Sequence, residues 1–509
     1  MTYSFRHKSN IKNRVLTILL LFVFVIGGGV AALVLTSNSP KEAYFLAEKE
    51  TFNILNEALS DRYKEEIHWN ELQQTKPTEQ TITVGADFSL PQTTEPNASF
   101  NPAQLLSHSA LTITAQTDLE QEKMAADLQL NVAGMKVEGF QLYLNEEMMN
   151  MNFPFMDETV QLQYEDTGTV LHQLDPLIFT GEETFEFGDL FGKNAVEGTQ
   201  YLHKYGALLY EKLPEEAFTL TDETIDLNGN SINTEKIELR LTEKQVIDVF
   251  TYLLQQMKED EAFKQWAEKQ FSSLYAADGK KTDMDTVLEE WLQMLPNWKM
   301  PEGFTSTIWT KDNLIVKRKL QFEYAPETEQ YLYLTLEGTQ NWTKEEQTMD
   351  YVFDFGDAYS VGTIELNGSL SWKEGKAEDD MQMQFGPYLL AYQGEEKSTD
   401  GEKEFVRNFT IEDGNTSQTL SWEGTAHYDA DRMEGEYTIA MKDNKTEQQW
   451  FGITVDQKAN EISEVVIPSF PNTIDIGNME PEERKEFWEK DFMAKFQQWI
   501  FNHLTGSSF

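Results

Sequence analysis

MDYVFDFGDAYSVGTIELNGSLSW, residues 349–372, is the stretch that decides the fold. Met349, Tyr351, Phe353 and Phe355 share one parity. A period of two places all four on one face of an extended strand, the mark of a half-buried β-strand. The same period surrounds the stretch on both sides. Leu320, Phe322 and Tyr324 precede it, and Met381, Met383 and Phe385 follow. Phe405, Phe409 and Ile411 continue the set, then Tyr437, Ile439 and Met441, then Phe451, Ile453 and Val455. Asn367-Gly368, Asp413-Gly414 and Asp443-Asn444 read as turns between strands. From about residue 304 onward, roughly nine or ten strands fit at the spacing of a sandwich, barrel or broad curved sheet.

A second strand-rich region lies upstream. Leu111, Ile113 and Ala115 alternate with polar neighbours, as do Leu128, Leu130 and Val132. Met135 and Val137 are odd, whereas Phe140, Leu142 and Leu144 are even, and the phase slip at Gly139 predicts a β-bulge. Met149, Met151, Phe153 and Phe155 form a one-sided strand rich in methionine and phenylalanine. Methionine suits adaptable apolar surfaces, so these four are the candidate hydrophobic-ligand surface, with ordinary sheet core as the alternative. Short links between strands favour an antiparallel meander.

Helical spacing marks four places. Residues 41–66 carry Phe45, Phe52, Leu55 and Leu59 on a narrow stripe, and residues 70–80 read as a loop. Thr242 with Gln245 makes a capping box ahead of Val246, Phe250, Leu253 and Met257. Val287, Leu288, Trp291, Leu292 and Leu295 make another helix, which Pro296 stops. Phe487, Trp488, Phe492, Phe496, Trp499 and Ile500 give the C-terminal helix a wide aromatic face that must be buried against another layer.

VLTILLLFVFVIGGGVAALVLT, residues 15–36, holds no charge and is long enough for a bilayer core of about 30 Å. Arg6, Lys8, Lys12 and Arg14 precede it and acidic chain follows. The positive-inside rule puts the N-terminus in the cytoplasm and the rest outside. A cleaved signal peptide is the rival, but its apolar core is normally shorter. The expectation is thus a single-pass cell-membrane protein with its C-terminal region extracellular. Its fold class is α+β, mainly antiparallel β: an N-terminal transmembrane helix, then large curved antiparallel β-meander sheets with packed helices. The expected segments are a basic tail (1–14), transmembrane helix (15–36), juxtamembrane helix (41–66), strand-rich domain with inserted helices (80–300), β-meander domain (301–479) and C-terminal amphipathic helix (480–505).

Composition bounds the chemistry. The 509 residues carry 41 Lys and Arg against 87 Asp and Glu, a net charge of −46. That balance disfavours nucleic acid, which needs a basic surface, and attracts divalent cations. With no cysteine, thiol catalysis, disulfides and zinc-thiolate sites are excluded. No GxSxG elbow, phosphate loop or HExxH is present, and no two of the seven histidines lie within five residues of each other. Asp429-x-Asp431 and Asp226-x-Asn228-x-Asn230 begin like calcium loops but lack the glycine and the bidentate glutamate. No catalytic residue, metal ligand or cofactor is expected. The partners expected are the bilayer through residues 15–36, a hydrophobic ligand or an envelope protein, and divalent cations. The function expected is a non-enzymatic binding or interaction protein of the cell envelope, with a lipid or hydrophobic-ligand carrier as the alternative and a wall hydrolase behind it.

TIDLNGNSINTEKIELRLTEKQVIDVFTYLLQQMKEDEAF, residues 224–263, is a short strand pair leading into a capped helix. With the order of elements around it, it resembles the uncharacterised membrane-anchored extracytoplasmic proteins of low-GC Gram-positive bacteria. That resemblance implies no known activity. More distantly, a helix followed by a curved antiparallel sheet is similar to the LolA and LppX lipoprotein-carrier fold, which implies a half-open sheet cradling acyl chains. The chain departs from that fold in length, acidity and the lack of a lipidation cysteine.

Overall fold

The computed structural model describes residues 39–88, 109–132, 135–176, 194–227, 229–275, 283–324, 332–357, 359–446, 449–468 and 470–505, with 179, 181, 183, 185 and 187–190. Two helices come first, α1 (Pro40–Arg62) and α2 (Lys64–Thr75). Six strands follow: β1 (Thr78–Phe88), β2 (Ser109–Asp118), β3 (Lys123–Val132), β4 (Met135–Leu144), β5 (Met148–Asn152) and β6 (Thr159–Gln163). Next are α3 (Thr167–Leu174), α4 (Asn194–Lys212), β7 (Phe218–Leu227), β8 (Asn230–Leu241), α5 (Glu243–Glu259), α6 (Glu261–Tyr275) and α7 (Met284–Met294). A long meander then runs through β9 (Phe304–Lys311), β10 (Leu314–Tyr324), β11 (Leu332–Trp342), β12 (Glu346–Asp357), β13 (Val361–Ser371), β14 (Lys376–Phe385) and β15 (Tyr388–Thr399). It continues as β16 (Glu402–Glu412), β17 (Ser417–Tyr428), β18 (Arg432–Asp443) and β19 (Gln449–Glu461). Short β20 (Thr473–Asp475), α8 (Pro481–Glu486), a π-helical turn (Phe487–Phe492) and α9 (Met493–Thr505) close the chain.

The fold class is therefore corrected. Among the described residues the chain forms a twenty-stranded, mostly antiparallel sheet with few helices, and β20 beside β6 is a parallel pair. None of the described helices is long and apolar enough to cross a membrane. The 23-residue α1 is long enough, but it buries Lys41, Glu48 and Arg62 along its length. The transmembrane helix, the signal anchor and the single-pass placement with a cytoplasmic N-terminus are corrected with it. Residues 15–36 and 1–14, on which those expectations were placed, lie outside the described residues.

The chain divides into two compact units. The first gathers described residues of 1–62, 194–277 and 281–392. Its strands β7 to β14 pair in sequence order, each antiparallel to the next. Apolar residues of α1, α4, α5, α6 and α7 pack on β7–β11 to make its core, which includes Tyr44, Phe45, Leu209, Leu239, Phe250, Leu288, Trp298, Phe304 and Phe322. The capping box at Thr242 and Gln245 forms as the sequence predicts and starts α5.

The second unit gathers described residues of 63–193 and 393–509. Its sheet runs β16–β17–β18–β19–β1–β2–β3–β4–β5–β6, antiparallel throughout. The predicted bulge is present: β3 and β4 shift register between Leu128 and Leu130, opposite Gly139 at φ +95°. Two local expectations differ. Residues 70–75, read as loop, complete α2. Asn367-Gly368, read as a turn, lies inside β13, where Gly368 pairs with Met349 on one side and Met381 on the other. A Cβ on Gly368 would stand 2.0 Å from the Asp380 carbonyl oxygen, so this glycine serves close strand approach, not turning.

Candidate ligand-binding surface

Alternation gives strands β12–β14 two unlike faces. One face carries Asp354, Thr363, Glu365, Asn367, Gln382 and Gln384, with Thr363 donating to Asp354 at 2.6 Å. The other carries registered apolar rows. Leu336 faces Phe353, Phe353 faces Ile364, and Ile364 faces Phe385. One row lower, Tyr351 faces Leu366 and Leu366 faces Met383. The buried core of this unit reaches Leu334 on β11, with Leu336 and Phe353 on its rim. Beyond that rim, Phe355, Ile364, Leu366 and Met383 are only half-buried and Phe385 is exposed. Gly362 lets the Phe355 ring lie flat across it, since a Cβ there would meet that ring at 2.6 Å. Phe355 in turn stacks on Phe385, 6.2 Å between centroids.

Buried charge holds α1 on the opposite half of these strands. Glu48 accepts two hydrogen bonds from Arg318 on β10, at 2.7 and 2.6 Å. Thr51 accepts the Ile315 amide at 2.9 Å. Arg62 donates twice to Asp379 on β14, at 3.1 and 2.9 Å, and Tyr392 adds a bond to the same carboxylate at 3.1 Å. Burial works against the Arg318 charge, but Glu48 outweighs it and holds the guanidinium protonated well above its ordinary range. Burial and the nearby Glu48 charge push the Tyr44 phenol up, while its hydroxyl pairs with Ser306 at 2.7 Å. Helix α1 is thus fixed at the Ile315 and Asp379 ends of β10 and β14. Phe52 and Leu59 on its stripe remain exposed.

The second unit repeats the pattern on its own strands. Trp69 of α2 packs on Met433 and Ala459, with Leu72, Tyr428 and Tyr437 beside them. Lys403 bonds Glu396 at 3.1 Å and also pairs with Glu66 of α2, while Arg407 bonds Glu396 at 3.0 Å and lies 4.4 Å over the Phe405 ring. Further along the same face, Trp422, Ile439 and Ile453 form one registered row, and Phe409, Leu420, Met441 and Phe451 the next. Phe409 is exposed and the others are half-buried. The opposite face of this unit holds an open groove of about 710 Å³ lined by Glu404, Glu423, Glu436, Asp456, Thr83 and Thr425 among others.

The four residues singled out from sequence are packed. Met149 lies against Leu119, Leu144 and Phe187. Met151 and Phe153 lie against Val160, Leu162, Val170 and Phe487. Phe155 touches the rings of Phe492, Phe496 and Trp499 at 5.1, 5.4 and 5.7 Å. Met151, Phe153 and Phe155, but not Met149, receive the aromatic face of the C-terminal helix. Sequence reasoning missed the half-buried rows of β12–β14, although the parity of Phe353, Phe355, Met381 and Met383 was visible. What it lacked was which strands the helices would leave uncovered.

Among the described residues no group of three or more histidine, aspartate or glutamate side chains could hold a metal ion. His427 stands between Glu402 (2.9 Å) and Asp429 (3.4 Å) at a hairpin edge.

No family model and no curated protein matches the chain. Solved structures that resemble it include the CymD monoaromatic hydrocarbon channel, at 6% identity and a TM-score of 0.20, covering 79% of this chain and 93% of that one. OccK3 of Pseudomonas aeruginosa matches at 4% identity and a TM-score of 0.24, covering 76% of this chain and 94% of that one. A loop-deleted OmpT, an outer membrane protein of Vibrio cholerae, matches at 6% identity and a TM-score of 0.19, covering 75% and 97%. Likeness at this level says nothing about what the chain binds.

Proposed function

We propose that this is a non-catalytic binding protein whose ligand is an apolar chain, such as the acyl chain of a lipid, laid along the half-buried rows of β12–β14. The observation that carries the reading is the run Ile364, Phe385 with Phe355, Leu366 and Met383 beside it, continuing from Phe353 on the rim of the helix-covered core to beyond that rim. Contiguous apolar surface left partly open to solvent marks binding sites in folded proteins. Each methylene buried there contributes about 0.8 kcal/mol, so roughly ten would contribute about 8 kcal/mol before ordering costs.

The test is retention of a fluorescent fatty acid by the purified full chain, together with mass analysis of what it carries after extraction. Ile364→Asp places a charge in the middle of the rows and should abolish retention. Glu365→Lys changes the neighbouring residue on the polar face and should leave it intact. Equal retention by both variants, or none by the parent chain, would remove the proposal.

A further inference from the structure

We infer that the hairpin tips at one end of β12–β15 in the first unit dock on the surface of an electrically neutral phospholipid bilayer, from which the apolar rows take their ligand. In a meander, alternate hairpins lie at opposite strand ends. The β12–β13 and β14–β15 turns therefore share one end, and the β11–β12 and β13–β14 turns share the other.

The two ends differ in kind. At the first, Tyr359 is 84% exposed and Val361 72%, and Phe385 and Tyr388 flank the next turn at 45% and 51%. That turn is Phe385-Gly386-Pro387-Tyr388, without a charge, opened by Gly386 at φ +56°. In the other tip the single carboxylate, Asp357, is occupied within the turn: it accepts the Tyr359 amide at 2.8 Å and the Ser360 amide at 2.9 Å. At the opposite end the turns read Thr343-Lys344-Glu345-Glu346 and Lys373-Glu374-Gly375-Lys376. Among the described turns of β11–β15, large apolar and aromatic side chains are thus held out in water at the first end, whereas at the other end the exposed Phe52 and Leu59 lie on α1 and not on the turns, on a chain whose net charge is −46.

Tyrosine at a polar–apolar boundary suits a bilayer interface, where the ring sits among headgroups. The acidity of the molecule excludes an anionic surface, so the bilayer is zwitterionic. The tips are also continuous with the apolar rows: Phe385, at the last position of β14, lies in register with Ile364, Phe353 and Leu336. An acyl chain leaving a bilayer at this end meets the rows without crossing polar surface.

The chain has no cysteine, so one introduced cysteine reports locally. Val361→Cys and, at the opposite end, Glu374→Cys are each labelled with an environment-sensitive fluorophore in the full chain. Each is mixed with phosphatidylcholine vesicles that carry a doxyl quencher on the acyl chains. The label at position 361 should be quenched by the lipid-borne doxyl at least roughly threefold more than the label at position 374, as expected for a residue at the interface. Tyr359→Ser with Phe385→Ser should remove the difference. Equal quenching at the two positions, or quenching only in vesicles containing phosphatidylglycerol, overturns the inference. So does a position-361 label shielded by an added protein but not by lipid. The inference rests on the acyl-ligand reading for its purpose, not for its measurement. Ile364→Asp should lose fatty-acid retention and keep quenching at position 361, so a failure of either reading is told from the other.

Discussion

Arg318 carries its charge inside the first unit because Glu48 meets it with two short, parallel hydrogen bonds. Such a pair is poor evidence of net stability, since both ions gave up water to form it. It is strong evidence of position, since losing one partner strands the other. Glu48→Gln should lower the unfolding free energy of the full chain by about 3 kcal/mol, whereas Glu48→Leu with Arg318→Met should cost far less. Guanidinium unfolding followed by circular dichroism reads both, and an equal loss in the two variants would mean that shape rather than charge holds α1 in place. Tyr44 adds a pH dependence of known sign. Its folded pKa is raised above the ordinary 10.0, so its contribution is complete below that value and declines as pH rises through and beyond it. Tyr44→Phe should flatten the alkaline limb of the stability profile, seen as a smaller loss of melting temperature above pH 10.

Elements were legible from sequence where a local rule fixed them, and illegible where a partner did. The Thr242 and Gln245 box needs only four residues, and the Gly139 bulge needs only a parity slip; both are present. Helix α1 shows the limit. Its visible stripe of Phe45, Phe52, Leu55 and Leu59 suggested an apolar seam, yet Phe52 and Leu59 are exposed while Glu48 and Arg62 are buried. Nothing within α1 announces Arg318 or Asp379, which lie 270 and 317 residues away. The rows of β12–β14 were half legible for the same reason: parity gave the face, but helix coverage decides its use. The C-terminal helix was clearer, because so wide an aromatic face has to be buried somewhere. Phe155 is the residue it closes on, through Phe492, Phe496 and Trp499. Phe155→Ala should weaken that docking by about 2 kcal/mol, less than for a fully buried phenylalanine. Hydrogen exchange should then quicken in Met493–Thr505 and leave α5 unchanged. Uniform quickening would place Phe155 in a global core instead.

At the scale of the molecule, 87 acidic side chains against 41 basic ones make the folded state self-repelling. The acidity is solvated along whole strand faces, as with Glu404, Glu423, Glu436 and Asp456 around the open groove of the second unit. Charges so placed interact through water and are screened by it. Raising ionic strength from 0.01 to 0.15 M shortens the screening length from about 30 to about 8 Å. The melting temperature should therefore rise with salt over that range. The deficit of Glu48→Gln should stay nearly constant, because a buried pair is shielded from mobile ions. The identity of the cation separates screening from site binding. Among the described residues no cluster of three or more ligating side chains exists, so calcium and magnesium at equal ionic strength should stabilise the chain equally. A calcium effect well above that of magnesium, saturating at micromolar concentration, would require a preformed oxygen cage. Equal effects that track ionic strength alone would assign the acidity to solvation of the outer faces.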